Sequence, residues 1–527
     1  MDIEDTIKQK KPVRSWSGVL VVTVVMKPSK FSCPFDCHYC PNEPGQPRSY
    51  LSSEPAIMRA NRNHFDPIYQ FNNRMDMLGK NGHSLDKIEI IVLGGTFSSY
   101  PRDYQEEFIR DIFYAANVYT NEKKRDKKDI GHEKNENENA DKKIIGISLE
   151  TRPDMITKRE LERLRYFGCT RVQIGVQHTK NHILEYVNRG HTVEQSIKAI
   201  KLLKNAGFKV DLHIMPDLPG SSPEDDKEMI HEVLCSESFS PDYLKIYPCL
   251  DVDFTEIRKW KESGKWKPYS EEGKGQILLD VCLTAKIYSK KYIRYNRIQR
   301  DFPEEKENVL GYQSKNIRTN FRQQLQQYAK SHNVECLCIR CREIKKRSIQ
   351  YPKINQEIYK SSEGIDIFIS IDSFDKKVLY GFIRLRLNKI NTFKELNNTA
   401  LIRELHVYGF LQTTTNSSKK AQVQHKGFGT VLLAKAEIVA YKKGFNNIAI
   451  ISGVGVRNFY RKRGYKLMYK TEYMHKTVTM NTYIMNCITI FKFKSYHFMM
   501  NNIITSTLIN YIKLIFYYVY HKTLNFR

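Results

Sequence analysis

Residues 19–40 read "VLVVTVVMKPSKFSCPFDCHYC". The apolar, β-branched run that opens this stretch suits a strand buried on both faces. The loop after it carries Cys33, Cys37 and Cys40 in C-x3-C-x2-C spacing. A structural zinc site takes four ligands; this loop stops at three. Three thiolates on a four-iron cluster leave one iron open to a small molecule. A short cysteine loop after a first strand, with Tyr39 before its last cysteine, points to a [4Fe-4S] cluster whose open iron chelates the amino and carboxylate groups of S-adenosylmethionine. Electron transfer to the sulfonium then releases a 5′-deoxyadenosyl radical. The strand–loop context favours this reading over zinc with a remote fourth ligand.

Strand-like runs recur at 88–93, 144–150, 171–176, 208–214 and 243–248, with amphipathic stretches at 103–117, 157–167, 193–206 and 271–289 between them. Six strand–helix units predict an α/β fold over residues 19–300, a parallel sheet covered by helices and curled into a partial (βα) barrel. Chemistry in such folds gathers at the C-terminal strand ends. The sequence is punctuated there, by "GGTF" after the second strand, "TRPD" after the third, "QH" after the fourth and "MPDLPG" after the fifth. Gly94, Gly95 and Thr96 make a step at which backbone groups approach a ligand closely, and are expected to hold the methionine end of S-adenosylmethionine (SAM). A tight strand exit would use the same glycines.

The chain has 527 residues, more than one core can hold. Its formal net charge of +27 favours a polyanionic partner, nucleic acid or an anionic membrane surface. Six of its eleven cysteines lie in two tight clusters, the pattern of metal sites in a reducing compartment and not of a disulfide framework. The basic N-terminal arm, residues 1–18, lacks the apolar core of a secretory signal. Segment 121–143 is charged, almost free of apolar residues, and expected to be a disordered insertion. A linker over 301–360 holds Cys336, Cys338 and Cys341 as C-x-C-x2-C. That spacing suits zinc with a fourth ligand the sequence does not reveal, or a second iron–sulfur cluster; the lack of a surrounding strand–helix unit favours zinc.

A second α/β domain is expected over 361–470, with strand runs at 365–371, 378–387, 401–409 and 447–453 and a helix at 427–443. Before that helix, "QHKGFG" (424–429) is Q-x-x-G-x-G, a turn that presents backbone amides to a pyrophosphate at the positive end of a helix. With the strands "ELHVYG" and "NIAIISG" and the trailing "RNFYRKRGY" it makes the pattern of a GNAT-type acetyltransferase domain for coenzyme A. Tyr460 lies where such domains place a tyrosine near the thioester sulfur, and is the catalytic candidate; a packed aromatic with a hydrogen-bonded hydroxyl is the plainer reading.

A radical SAM domain followed by an acetyltransferase domain resembles the catalytic subunit of the eukaryotic Elongator complex and its archaeal, bacterial and viral relatives. The resemblance spans residues 8–470 and rests on "EPAIMRA", "LGGTF", "ETRPD", "GCTRVQIGVQ", "NRGHT", "MPDLPG", "RELHVYG", "GFG" and "ISGVGVRNFYRKRGY". It implies modification of the wobble uridine of tRNA. The deoxyadenosyl radical would take hydrogen from the methyl of acetyl-coenzyme A, the carbon radical would add to carbon 5 of the uracil, and thioester hydrolysis would leave a carboxymethyl group. The family's cluster ligands fall on Cys33, Cys37 and Cys40. Its acetyl-coenzyme A contacts fall on Lys87, on Glu404, Leu405, His406 and Val407, on Phe428, Gly429 and Thr430, and on Tyr460. Many relatives have two adjacent tyrosines where this chain has Phe459–Tyr460, and eukaryotic relatives often space their first two cysteines more widely.

The stretch 286–300, "KIYSKKYIRYNRIQR", has six basic residues, three tyrosines and no acid. Given the family, Arg294, Arg297 and Arg300 are expected to contact the tRNA, with rings stacking on unpaired bases; other Elongator subunits are expected partners. The tail stretch 503–520 is eighteen residues long and contains Asn510 and Lys513, which are costly at mid-membrane. Within a hydrophobic C-terminal extension over 471–527, it suits a tail anchor of a cytoplasmic enzyme on an organelle membrane, a buried helix or strand packed on the second domain, or an unselected extension from AT-rich sequence. Two other functions remain in view: a lysine acetyltransferase for histones or tubulin with a structural cluster, and a tRNA-binding scaffold without catalysis. Intact Cys33, Cys37, Cys40 and Tyr460 argue against the scaffold.

Overall fold

The computed structural model describes residues 17–29, 31, 33–300, 320–345, 347–409 and 427–501. Its first sheet has seven strands: β1 (Leu20–Val25), β2 (Lys87–Leu93), β3 (Lys143–Thr151), β4 (Cys169–Gln177), β5 (Lys209–Ile214), β6 (Tyr243–Ile246) and β7 (Arg294–Arg297). They pair in chain order and all in parallel, with β1 and β7 at the edges, so the sheet is an open half-barrel. The β-branched runs become strands because helices cover one face and the interior closes over the other; β4 is buried at every position but Gln177. Capping boxes start two of the covering helices, Thr192 with Gln195 for Val193–Asn205 and Ser222 with Asp225 for Pro223–Cys235. The sequence reading counts six strands; the seventh, β7, lies inside the basic stretch 286–300.

The second sheet is built from β8 (Lys353–Ser361), β9 (Gly364–Asp372), β10 (Leu379–Leu387), β11 (Thr399–Val407), β12 (Asn447–Ile450), β13 (Lys466–Met468) and β14 (Tyr473–Thr477), in the order β13-β14-β12-β11-β10-β9-β8. Only β11 and β12 run parallel. The sheet therefore starts eight residues before the expected boundary at 361 and ends past 470. The helix Met480–Asn501 follows it, running antiparallel along Phe428–Lys442, with Tyr483 against Tyr441, Asn486 bonded to Glu437 and Phe493 against Phe428.

Segment 121–143 is not the disordered insertion its composition suggests. Asp129 caps the helix Ile130–Asn137, which packs on Arg102–Val118 and buries Glu133, Lys134 and Asn137. Each buried charge is matched: Glu133 by Arg125, and Lys134 by Glu472 of the second domain. Glu138, just after the helix, pairs with Arg457 and Arg461. Polarity here marks an ionic seam between domains and not a solvated loop.

Buried ion pairs also join the two sheets. Asp242, before β6, accepts from Arg403 at 2.7 and 2.6 Å and lies 3.4 Å from Arg384. Asp366 meets Arg386, Lys204 and Arg403. Gly453 sits so tightly on β3 that a Cβ there would lie 1.9 Å from the carbonyl oxygen of Ile145. The second domain thus abuts the N-terminal strand ends of the half-barrel, opposite the cysteine loop. The expected tail anchor, 503–520, and the N-terminal arm up to residue 16 lie outside the described residues. No described helix is long and apolar enough to cross a membrane.

Candidate active site

Parallel strands bring every post-strand loop to one rim, and the cysteine loop meets there the motifs that follow β2, β3 and β4. Gly94 has φ +151°, and a Cβ on it would lie 2.9 Å from Met26 Cβ, so the "GGT" step needs glycine where it passes β1. That step carries the Thr96 hydroxyl to 3.3 Å from Cys33 Sγ. Two buried arginines converge on Cys37. Arg152, from "TRPD", places Nη1 3.7 Å from its sulfur, and Arg189, from "NRGHT", places Nη1 at 3.5 Å. Burial would raise the Cys37 pKa, but Arg189 and Arg152 outweigh it and the value is lowered. Cys40 is pushed up to about 11 by burial and the neighbouring Cys37.

These residues fit an iron–sulfur cluster better than a single ion. Among the described residues the one trio with ligand atoms all within 4.8 Å of one another is Cys336, Cys338 and Cys341. The sulfurs of Cys33, Cys37 and Cys40 are spread wider, as thiolates bound to different irons require. Anionic sulfur chemistry is also what two buried guanidiniums call for.

Sequence reasoning missed a polar row between this rim and the second domain. Glu150, Gln173, Asp211 and Tyr243 are register partners on β3 to β6, as are His213 and Lys245 one step further along. They share the face of the sheet opposite Val210, Leu212 and Ile214. Lys245 bonds Gln173, Asn296 donates to Asp211 at 2.7 Å, and the Tyr50 hydroxyl donates to Glu150 at 2.8 Å. Burial lowers Lys245 to about 8, against the pull of Asp211 and Glu150, and drives His213 well below its ordinary value. The signal was available: Lys209, Asp211 and His213 alternate with apolar residues in "KVDLHI", and Arg171 and Gln173 do so in "RVQIGV", in strands that are otherwise apolar.

In the second domain β11 and β12 pair only from Thr399↔Asn447 to Ile402↔Ile450; β11 then continues beside β10 alone to Val407. A bulge in β11 at Arg403, opposite Arg384 and Leu385 of β10, marks the divergence. The two parallel strands part into a wedge, and Gly427, at φ +78°, starts the helix Phe428–Lys442. Gln424, His425 and Lys426 of the glycine motif lie outside the described residues. Thr430 accepts from Arg463 at 2.7 Å, and the Arg463 guanidinium lies 3.6 Å from the Phe459 ring centre. Tyr460 is buried against Phe459 and Tyr465, and burial raises its pKa. Glu404 is held by Arg384 at 2.8 Å and by the Tyr243 hydroxyl, so its side chain is committed to the interface. His406 meets the Ser17 carbonyl at 2.9 Å, and Leu405 and Val407 stay half-buried. Lys87 opens β2 beside Lys143, at the strand ends that face the second domain, and burial lowers its pKa.

Two of the three expected RNA contacts are already engaged within the protein. Arg294 pairs with Glu343 at 2.9 Å and bonds Asn296 at 2.7 Å. Arg300 pairs with Glu54 at 2.6 Å and also reaches the Ser49 carbonyl. Both are structural cations, because the basic stretch runs along an edge strand whose acidic partners lie far off in sequence. Arg297 alone of the three is exposed. Cys336 and Cys341 of the trio border a cavity of 560 Å³ lined also by Lys286, Lys330, Arg342 and Arg347, with Cys338 buried behind them; Lys286 Nζ lies 3.9 Å from Cys336 Sγ.

A parallel half-barrel with a three-thiolate loop at its first strand end, carrying a second sheet with a splayed parallel pair, is the architecture of a radical SAM enzyme with an acetyltransferase-type domain. The Radical SAM superfamily matches residues 30–233 and the Radical_SAM C-terminal domain residues 241–329. Such enzymes carry a [4Fe-4S] cluster and bind SAM. The chain is 39% identical over 476 residues to "tRNA uridine(34) acetyltransferase" of Methanocaldococcus jannaschii, covering 87% of this chain and 85% of that one. It is 36% identical over 479 residues to "Elongator complex protein 3" of Homo sapiens, covering 87% and 84%. The solved structure of "The archaeal Methanocaldococcus infernus Elp3 with N-terminus deletion (1-46)" superposes with a TM-score of 0.73 at 34% identity, covering 88% of this chain and 100% of that one. The chain belongs to the family of tRNA uridine(34) acetyltransferases and Elongator complex protein 3.

Proposed function

We propose that the protein modifies the wobble uridine of tRNA, joining an acetyl-derived carboxymethyl group to carbon 5 of the base. The observation that carries this reading is its identity with tRNA uridine(34) acetyltransferases along both halves of the chain. The geometry supports it: the cysteine loop lies at one end of the half-barrel, the splayed end of β11 at the other, and a polar face lies between them.

Cys33, Cys37 and Cys40 would hold the [4Fe-4S] cluster, which with SAM supplies a radical able to take hydrogen from a methyl group. Gly94, Gly95 and Thr96 would bring backbone groups to the methionine end of SAM. Acetyl-coenzyme A would lie in the β11–β12 wedge, along the backbone of Leu405, His406 and Val407, with its pyrophosphate at Phe428, Gly429 and Thr430. Glu404 would act by fixing β11 and not by touching the ligand, since its carboxylate is held by Arg384 and Tyr243. Lys87 would add a cation from the half-barrel, and Tyr460 would sit by the thioester. Cys336, Cys338 and Cys341 would bind zinc, with Lys286 offsetting the thiolate charge. tRNA is the macromolecular substrate, and other Elongator subunits are the partners where a cell makes them.

The test is the formation of 5′-deoxyadenosine by reduced, reconstituted protein given SAM. The reading expects it to rise when acetyl-coenzyme A and tRNA are added together, and to vanish in Cys37→Ala. A Cys37→Ala protein that still forms it would overturn the site.

A further inference from the structure

Arg152 and Arg189 hold an arrangement that the family reading leaves unused. Both are almost fully buried, at 2% and 6% exposure, and both point a guanidinium nitrogen at Cys37 Sγ, at 3.7 and 3.5 Å. Neither is free to swing away. Arg152 is fixed by Asp154 at 3.0 Å, by the Arg189 carbonyl at 2.8 Å and by the Phe35 ring, whose centre lies 3.4 Å away. Arg189 is fixed by the Gly175 carbonyl at 2.8 Å. No carboxylate among the described residues pairs with Arg189; its two hydrogen-bond acceptors are Cys37 Sγ and the Gly175 oxygen, and its buried Nε has no partner. A buried cation without a carboxylate is costly unless an anion faces it. The anion on hand is the sulfur of Cys37.

We propose that Arg152 and Arg189 are positioning residues that tune the reduction potential of the cluster bound through Cys37, raising it so that a cellular one-electron donor can reduce it. This rests on the assignment of Cys33, Cys37 and Cys40 as ligands. Reduction adds one electron and no proton, so it adds one negative charge next to two fixed cations, of which Arg152 is paired with Asp154 and Arg189 with no carboxylate among the described residues. Hydrogen bonds and charge at a ligating sulfur are established levers on such potentials. Cys33 has a neutral hydroxyl beside its sulfur instead, and Arg48, the cation beside Cys40, is already matched by Asp36.

The experiment is a potentiometric titration of the reconstituted full chain, followed by electron paramagnetic resonance of the reduced cluster, with no substrate present. Arg189→Gln and Arg152→Gln keep polarity and remove charge. Each is expected to lower the midpoint, with about a tenfold smaller reduced-to-oxidised ratio at the wild-type midpoint, equal to about 59 mV for one electron. Arg189→Lys, which keeps the charge, is expected to stay near the wild type. The midpoint belongs to loaded molecules only, so partial loading does not blunt the result. Gln variants that carry the cluster at an unchanged midpoint would overturn the inference. So would Gln variants that take up no iron while remaining folded by circular dichroism, since the arginines would then serve assembly. A wild type with no cluster signal would instead overturn the ligand assignment itself.

Discussion

Replacing Arg403 by Met keeps the volume of the side chain and removes its charge from the centre of the domain interface. Arg403 is fully buried and makes three bonds under 3 Å, two to the Asp242 carboxylate and one to the Phe208 carbonyl at 2.8 Å, with Asp366 at 3.3 Å. Removing one partner of a buried ion pair costs about 3–5 kcal/mol, because the other charge stays buried. Asp242 keeps Arg384 at 3.4 Å and Asp366 keeps Lys204 at 3.2 Å, which places the loss at the lower end, about 3 kcal/mol. For a folding unit of about 150–250 residues that is a fall of about 6–12 °C in melting temperature. Differential scanning calorimetry would measure it, beside the Asp242→Asn and double variants. The double variant leaves neither charge unmatched and should cost less than the sum of the two single changes. A melting temperature for Arg403→Met within 2 °C (about) of the wild type would refute the argument that this pair locks the halves together.

The same carboxylate gives a pH prediction. Burial would raise the Asp242 pKa, but Arg403, Arg384 and Lys204 hold it at about 2, below its ordinary 3.8. Its contribution, about 2 kcal/mol, is therefore complete above pH 3.8 and lost as pH falls toward 2; wild type should show this acid loss and Asp242→Asn should not. Gly453→Ala forces a methyl into the Ile145 carbonyl and should cost about 3 kcal/mol, seen as earlier proteolysis between the domains; wild-type resistance would disprove the close seat. Arg297→Ala should reduce tRNA affinity and its salt slope with the fold intact, whereas Arg294→Ala should lower the melting temperature by breaking the pair with Glu343. Equal thermal stability of those two variants would contradict the assignment of Arg294 as structural.

Strands and helices were legible wherever one period ruled. The helix expected at 193–206 is Val193–Asn205 and the strand expected at 88–93 is Lys87–Leu93, because apolar spacing and caps are local facts. What failed depended on partners distant in sequence. Segment 121–143 looked disordered because its acids and bases could not be matched to Arg457, Arg461 and Glu472, some 320 residues on. The acidic partners of Arg294 and Arg300, Glu343 and Glu54, were hidden for the same reason. In the candidate site the cysteines and the "GGT" step were readable as motifs, but the convergence of Arg152 and Arg189 on Cys37 comes only from parallel strands that end on one rim. The wedge between β11 and β12 was likewise invisible, since both strands read as continuous runs.

Acetyl carbon on a tRNA base is the signature that separates the proposed chemistry from lysine acetylation. Reduced, reconstituted protein incubated with SAM, tRNA and acetyl-coenzyme A labelled at both acetyl carbons, followed by nucleoside mass spectrometry, measures this directly. A doubly labelled carboxymethyl group on the wobble uridine, absent from Cys37→Ala, is the expected product. Label found on lysine side chains with the uridine unmodified would contradict it.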